Sequence, residues 1–323
     1  MNKQEIIAYL GEDWTAMTGI ISRAVSSEIG LLNSVNEDIL SHSGKLLRPL
    51  ISLLVARACG TPNEASYRVA AATELLHNAT LLHDDVADDS GERRGVPTVN
   101  ALLGPRSAVL IGDFWLAKTM ETMIDSEGLR GDVAKFFSKT LVDLAEGEML
   151  QLEKSSTADT TYEDYFKIIY CKTASLFETA CISAAFSVGA PQEYCEAVRR
   201  FARAAGIAFQ IKDDIFDYVG DSGIGKPVGL DLRERKITLP LLCALDGCED
   251  AASVRALVLS CNVSSADCDR VHSFVMERHG VAKALDKLDA YILEAVRALD
   301  VLPDSEAKDY LAEIARYIGI RKK

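Results

Sequence analysis

The chain reads as all-α: a single-domain bundle of ten or more helices around a central cavity, spanning residues 1–323. Two observations point to helices. Apolar residues recur at helical spacing along most of the chain, and no stretch shows sustained period-two alternation or a hairpin dipeptide between such stretches. A third observation points to the cavity. The pattern D-D-x-x-D occurs twice, as Asp84/Asp85/Asp88 and Asp213/Asp214/Asp217, each time after an apolar-periodic run. Two acidic helix ends brought face to face suggest a bundle with a central cavity.

Taken in order, residues 13–40 place Met17, Ile20, Ile21, Val25, Ile29 and Leu32 at helical spacing and are expected as one long amphipathic helix. Gly44 and Pro49 break the chain over 41–49, Pro49 suiting the first turn of the apolar helix that follows. Residues 64–86 should form a long helix ending in the first acidic motif. A loop is expected over 91–104, then helices over 106–123 and 133–152. The polar run 154–161, KSSTADTT, reads as a mobile link. Residues 162–188 are helical and rich in Ala and Ser, which suits close packing, and 193–219 carry the second motif. The glycine-rich run 221–229 has no preceding strand and no Walker spacing, so it is not a P-loop. Helical periods return over 239–245 and from 251 to 318, broken near Cys261, Gly280 and Pro303.

Composition narrows the function. A net charge of −13 argues against nucleic acid as the main partner, because a phosphate-backbone binder needs a broad basic field. No run of 18 apolar residues exists, so no membrane span is expected, and the N-terminal stretch lacks the apolar core of a signal peptide. None of the eight cysteines forms C-x-x-C with another; buried free thiols in a cytoplasmic protein are expected.

The aspartates carry a cost that needs a reason. Asp84 and Asp88 share a helix face, so their charges repel, and the negative end of the helix dipole adds to the penalty. Hard divalent cations remove it, because Mg²⁺ takes oxygen ligands and leaves positions for substrate phosphates. Basic residues crowd the same segments: Lys45, Arg48, Arg93, Arg94, Lys172, Lys212, Lys226, Arg233, Arg235 and Lys236. Together they fit a diphosphate held through Mg²⁺ and a second phosphorylated ligand held by cations alone. If the first ligand is a carbon diphosphate, losing diphosphate leaves a carbocation, which needs a dry apolar cavity.

In its ordered motifs the chain resembles the trans-isoprenyl diphosphate synthases of the polyprenyl synthetase family, and among them a medium- or long-chain polyprenyl diphosphate synthase. G-K-x-x-R-P stands at Gly44, Lys45, Arg48 and Pro49, and E-x-x-H at Glu74 and His77. H-D-D-x-x-D then R-R-G runs from His83 to Gly95, and G-D-F is Gly112, Asp113 and Phe114. G-E-x-x-Q is Gly147, Glu148 and Gln151, and K-T is Lys172 and Thr173. F-Q-x-x-D-D-x-x-D begins at Phe209, and G-K-P-x-G-x-D-L leads to Lys226, Asp231 and Lys236.

The resemblance implies the isoprenoid synthase fold and a set of roles. Asp84, Asp85, Asp88, Asp213 and Asp217 would ligate Mg²⁺, three ions per site with substrate bound, while Asp214 would orient them. Arg93, Lys172, Lys226 and Lys236 would clamp an allylic diphosphate. Lys45, Arg48, His77 and Arg94 would bind isopentenyl diphosphate without metal, and Thr173 and Gln210 would place oxygens near the carbocation. It implies a cytoplasmic homodimer whose product can partition into membrane. Ala79 and Thr80, small residues upstream of the first aspartate, imply a product longer than C15, with Ala79→Tyr or Phe expected to shorten it and Phe114 or Trp115 a conceivable floor. Phe216, where the family often has leucine, is a departure. Arg321, Lys322 and Lys323 either reach back over the diphosphate or form a frayed basic tail, and the tail is the reading preferred. The alternatives are a geranylgeranyl or farnesyl diphosphate synthase of the same family, a terpene cyclase, a non-catalytic subunit and a helical metal-binding scaffold.

Overall fold

The computed structural model describes residues 2–93, 95–124, 131–220 and 229–321. Their helices are α1 (Lys3–Leu10), α2 (Glu12–Ala24), α3 (Gly30–Ser41), α4 (Leu47–Cys59), α5 (Glu64–Ala87), α6 (Val99–Leu103), α7 (Pro105–Ile124) and α8 (Gly131–Thr157), then α9 (Tyr162–Ile169), α10 (Ser175–Ser187) and α11 (Gln192–Val219). The C-terminal part adds α12 (Leu230–Arg233), α13 (Leu239–Leu245), α14 (Ala251–Ser260), α15 (Ser265–Glu277), α16 (Gly280–Ala298) and α17 (Glu306–Ile320). Between α9 and α10, Tyr170–Ala174 form a π-helical turn. Among the described residues the strands are one two-residue antiparallel pair, Glu92–Arg93 with Val96–Pro97. The all-α expectation holds.

Helix α10 sits at the centre. Its Leu176, Phe177, Ala180, Cys181, Ile182, Ala184 and Ala185 are buried on every side, as a helix apolar all round must be. It touches α4, α5, α8 and α11, and its small residues let those neighbours approach closely. Helix α5 packs on α2, α4, α7 and α10, and α11 on α10, α13, α16 and α17. A second, smaller apolar cluster of Val69, Ala72, Leu76, Met123, Val133, Phe137 and Leu176 joins α5, α7, α8 and α10. No helix among the described residues is long and apolar enough to cross a membrane. All eight cysteines are free.

Several boundaries differ from the expectation. The long helix over 13–40 is two helices: the chain turns at Val25–Ile29, where the Ser27 hydroxyl accepts from Ile29 N–H and the Asn36 amide donates to the Val25 carbonyl at 2.6 Å. Asn36 also accepts from the Trp115 indole at 2.8 Å, so a buried polar residue pins this corner to α7. The first half of the run 154–161 is helix, the last turn of α8. Lys154 lies 3.4 Å from Asp159 and 3.2 Å from Asp164, and Thr161 and Asp164 close a capping box at the start of α9. The loop expected over 91–104 contains the small strand pair and α6, whose first turn is capped by Thr98.

Candidate active site

A cavity of about 1050 Å³ opens between the C-terminal ends of α5 and α11. Asp84 and Asp88 reach it from one side, Asp213 and Asp214 from the other, and Asp231 beside them. Burial pushes the Asp84 carboxyl up to about 6; Lys172 pulls the other way, while Glu148 and Asp88 add repulsion. Lys172 pairs with Glu148, and Lys236 with Glu234 while feeling Asp231 and Asp88. This end of the cavity therefore holds Asp84, Asp88, Arg93, Lys172 and Lys236. Arg93, Lys172 and Lys236 are already paired with Asp85, Glu148 and Glu234, so Asp84 and Asp88 are left as oxygen donors suited to a hard divalent cation, although among the described residues no three such groups gather closely enough to enclose one by themselves.

Asp85 and Asp217 stand behind the cavity wall rather than in it. Asp85 accepts from Arg93 Nε and Nη2 at 2.8 Å each, which aims that guanidinium. Asp217 accepts from the backbone N–H groups of Leu230 and Asp231 at 3.0 and 3.1 Å, fixing the first turn of α12.

Opposite lies a cationic patch with no first-motif carboxylate. Lys45, Arg48, His77 and Arg321 line it around Asp213. Arg48 Nη1 lies 3.1 Å from His77 Nε2; arginine only donates, so that nitrogen is the acceptor. Arg321 is buried, not frayed as the sequence suggested. It donates to Asp213 at 2.8 Å and to the Phe209 carbonyl at 2.9 Å, and stacks over Phe209 at 4.0 Å. Among the described residues its buried Nε has no hydrogen-bond partner. Phe216, the departure noted in the sequence, lies 5.5 Å from the same guanidinium. Arg94, Lys226, Lys322 and Lys323 lie outside the described residues.

The π turn explains how two consecutive residues, Lys172 and Thr173, both line the cavity. An inserted residue changes the helical phase, a device common at functional sites. Two glycines make room for it. A Cβ on Gly147 would come 2.6 Å from Cys171 Cβ, and one on Gly206 would come 2.6 Å from Ala174 Cα. Gly147 of G-E-x-x-Q is therefore a packing residue, and so is Gly112 of G-D-F, where a Cβ would strike the His83 ring. From the π turn a hydrogen-bond chain leads inward. Thr173 Oγ1 donates to Gln210 Oε1 at 2.8 Å, Gln210 Nε2 to Asp214 Oδ1 at 2.9 Å, and Tyr165 Oη to Asp214 Oδ2 at 2.6 Å. Burial raises Asp214 to about 7, with Tyr165 and Gln210 opposing.

Below the charged rim the lining turns apolar. Thr80, Leu81, Leu141, Leu144, Ala145, Ile168, Ile169 and Leu176 form the walls. Leu176 belongs to the smaller apolar cluster and Leu141 packs against it, so this wall of the cavity borders the cluster that holds Phe137, Leu76 and Met123. Of the two small residues marked from sequence, Thr80 lines the cavity while Ala79 is 1% exposed in the main core. Phe114 and Trp115 do not line it; Trp115 is fully buried against Asn36. Tyr165 and the pairing of Glu148 with Lys172 were not marked by the sequence, and Arg321 was read there as part of a tail. Each acts through a contact between distant segments that no spacing rule reports.

The family model for polyprenyl synthetase matches residues 30–274. An all-trans-nonaprenyl-diphosphate synthase (geranyl-diphosphate specific) of Rhodobacter capsulatus is 39% identical over 318 residues, covering 97% of this chain and 96% of that protein. The crystal structure of a decaprenyl diphosphate synthase from Rhodobacter capsulatus superposes with a TM-score of 0.92 at 33% identity, covering 100% of both chains. A polyprenyl synthase from Caulobacter crescentus CB15, solved with calcium and isoprenyl diphosphate, gives 0.90 at 31% identity, covering 100% of this chain and 98% of that one. With its fold, its paired acidic motifs and these relatives, the chain belongs to the polyprenyl synthetase family and is a trans-prenyltransferase.

Proposed function

We propose that the protein condenses isopentenyl diphosphate head to tail with an allylic diphosphate, with Mg²⁺ as cofactor, to make a trans-polyprenyl diphosphate longer than C15. The observation that carries this reading is one cavity with two differently charged mouths and an apolar depth. One mouth sets Asp84 and Asp88 beside Arg93, Lys172 and Lys236, and the other sets Lys45, Arg48, His77 and Arg321 around Asp213. Asp84, Asp88 and Asp213 would hold the metal, three ions with the allylic diphosphate bound, and Asp85 and Asp217 would support from behind through Arg93 and α12. Bound Mg²⁺ supplies neutralisation of charge on the leaving diphosphate. Arg93, Lys172 and Lys236, with Lys226, grip that diphosphate.

The chain's own residues then protect the cation. Thr173 and Gln210 sit where the reacting carbon would lie, and the leucine and isoleucine walls exclude water. The second diphosphate is held by Lys45, Arg48, His77 and Arg321, with Arg94, and its homoallylic carbon attacks the cation. The released diphosphate removes the proton that restores a double bond. The lengthening tail passes Thr80 toward Phe137. Residues 1–323 act as one domain, in the cytoplasm, as a homodimer. A terpene cyclase would leave the second cationic mouth without a ligand.

The test is incubation with Mg²⁺, isopentenyl diphosphate and a panel of allylic diphosphates, with mass analysis of the products. Chains beyond C15 are expected. Products that stop at C15 or C20 would assign a farnesyl or geranylgeranyl synthase, and diphosphate release without isopentenyl diphosphate would assign a cyclase.

A further inference from the structure

We infer that Tyr165 is a positioning residue for this reaction: through Asp214 and Gln210 it fixes the direction in which the Thr173 hydroxyl faces the reacting carbon. The inference rests on the placement of Thr173 and Gln210 beside the carbocation proposed above. Tyr165 belongs to none of the motifs that carry the chemistry. It lies seven residues before Lys172, on the helix that runs into the π turn, and is 3% exposed.

The direction follows from which atoms can donate. An aspartate carboxylate accepts and does not donate, and a donor seated on each oxygen, Tyr165 on one and Gln210 on the other, favours that ionised form of Asp214 against the pull of burial. Asp214, 3% exposed, receives Tyr165 Oη–H on one oxygen and Gln210 Nε2–H on the other. The Gln210 amide must therefore turn its NH₂ to Asp214 and its oxygen to Thr173. That oxygen only accepts, so Thr173 spends its single proton on it, at 2.8 Å. The hydroxyl then presents lone pairs to the cavity, the polarity that a developing positive carbon needs. Turned the other way, it would aim the positive end of its dipole at the same carbon.

Removing the phenol proton leaves one oxygen of a buried carboxylate without a donor. Such a group draws in whatever donor is near, because a buried acceptor left without one is unfavourable. The nearest is the remaining N–H of Gln210. Rotation of either side chain toward the other releases Gln210 Oε1 from Thr173. The Tyr165 ring, edge-on to Phe166 with centroids 5.2 Å apart, stays packed when only the hydroxyl is removed.

The experiment is a double-mutant cycle on the full-length protein with Mg²⁺ and both diphosphates, using Tyr165→Phe, Thr173→Val and the pair. Tyr165→Phe is expected to lower kcat about tenfold with KM for both diphosphates within about twofold. Thr173→Val is expected to lower kcat further, and the double variant to be no slower than Thr173→Val within about twofold. Multiplying effects in the double variant, or a rise in KM with kcat unchanged, would overturn the positioning role. A Thr173→Val enzyme with wild-type kcat would instead remove the reading of the site on which the inference stands. Tyr165→Met, which fills the slot without a donor, repeats the cycle if the Phe variant fails to fold.

Discussion

Asp84 is the residue whose charge state most depends on what the cavity holds. Its carboxyl in the folded chain without metal titrates near about 6, raised by burial beside Glu148 and Asp88. A raised value makes the favourable contribution complete below the ordinary carboxylate range and removes it as pH rises through about 6. Without metal, Asp84→Asn should therefore melt a few degrees above wild type at about pH 7.5, and the gap should narrow as pH falls through about 5 and close only at about pH 3, below the ordinary carboxylate range. Adding Mg²⁺ and inorganic diphosphate should raise the melting temperature of wild type more than that of the variant. Equal melting at both pH values, read by calorimetry, would show that Asp84 carries no such cost. The same residue scale shows what a sequence conceals. The aspartates are legible because the repeated spacing needs a reason. Arg321 meets Asp213 across 108 residues of chain, and its burial follows only from where α17 ends.

The π turn and the smaller apolar cluster are devices of whole elements. Gly206 lets α11 approach Ala174 so closely that any side chain there must push the turn away. Gly206→Val should cost about 1–3 kcal/mol by overpacking. It should lower kcat at least tenfold with helical circular dichroism unchanged, because it moves Lys172 and Thr173 off the cavity; unaltered kcat would mean that the turn tolerates displacement. On the cavity wall, Thr80→Phe should shorten the product and Phe137→Ala should lengthen it, both read by mass analysis of prenyl chain lengths. Ala79→Tyr must displace packed core first, so Thr80 gives the cleaner test. An unchanged distribution in both variants would place the floor elsewhere. Helix positions were legible wherever apolar periodicity ran on unbroken. The corner at Val25–Ile29 was not, since the periodicity continues across it and the break is made by Ser27 and Asn36. The helical end of α8 was hidden by its polar composition, which the ion pair of Lys154 with Asp164 of α9 offsets.

For the whole molecule, the all-α class and the facing acidic ends could be argued from the chain alone, while the depth of the cavity could not. It depends on which of many leucines turn inward, and that is settled by packing among α5, α8 and α10. The outside of the molecule carries apolar residues of its own: Leu102 on α6, Leu110 on α7, and Val142, Met149 and Leu152 on α8 are each more than half exposed. Exposed apolar faces of this kind suit a subunit contact. Leu110→Glu combined with Met149→Glu should convert a dimer to monomers in light scattering, with the helical spectrum retained; a dimer that persists would move the contact to another face.

The smaller apolar cluster lies below the charged rim, with Leu76 two helical turns beneath Asp84 on α5, roughly 12 Å along the axis. On the reading proposed above, bond making and the ruler that measures the product occupy opposite ends of one shaft. Evolution can reset the ruler by exchanging a few hydrocarbon side chains, without disturbing the acids and bases that break and make carbon bonds. One catalytic head can in this way serve descendants that differ only in how long a tail they let grow.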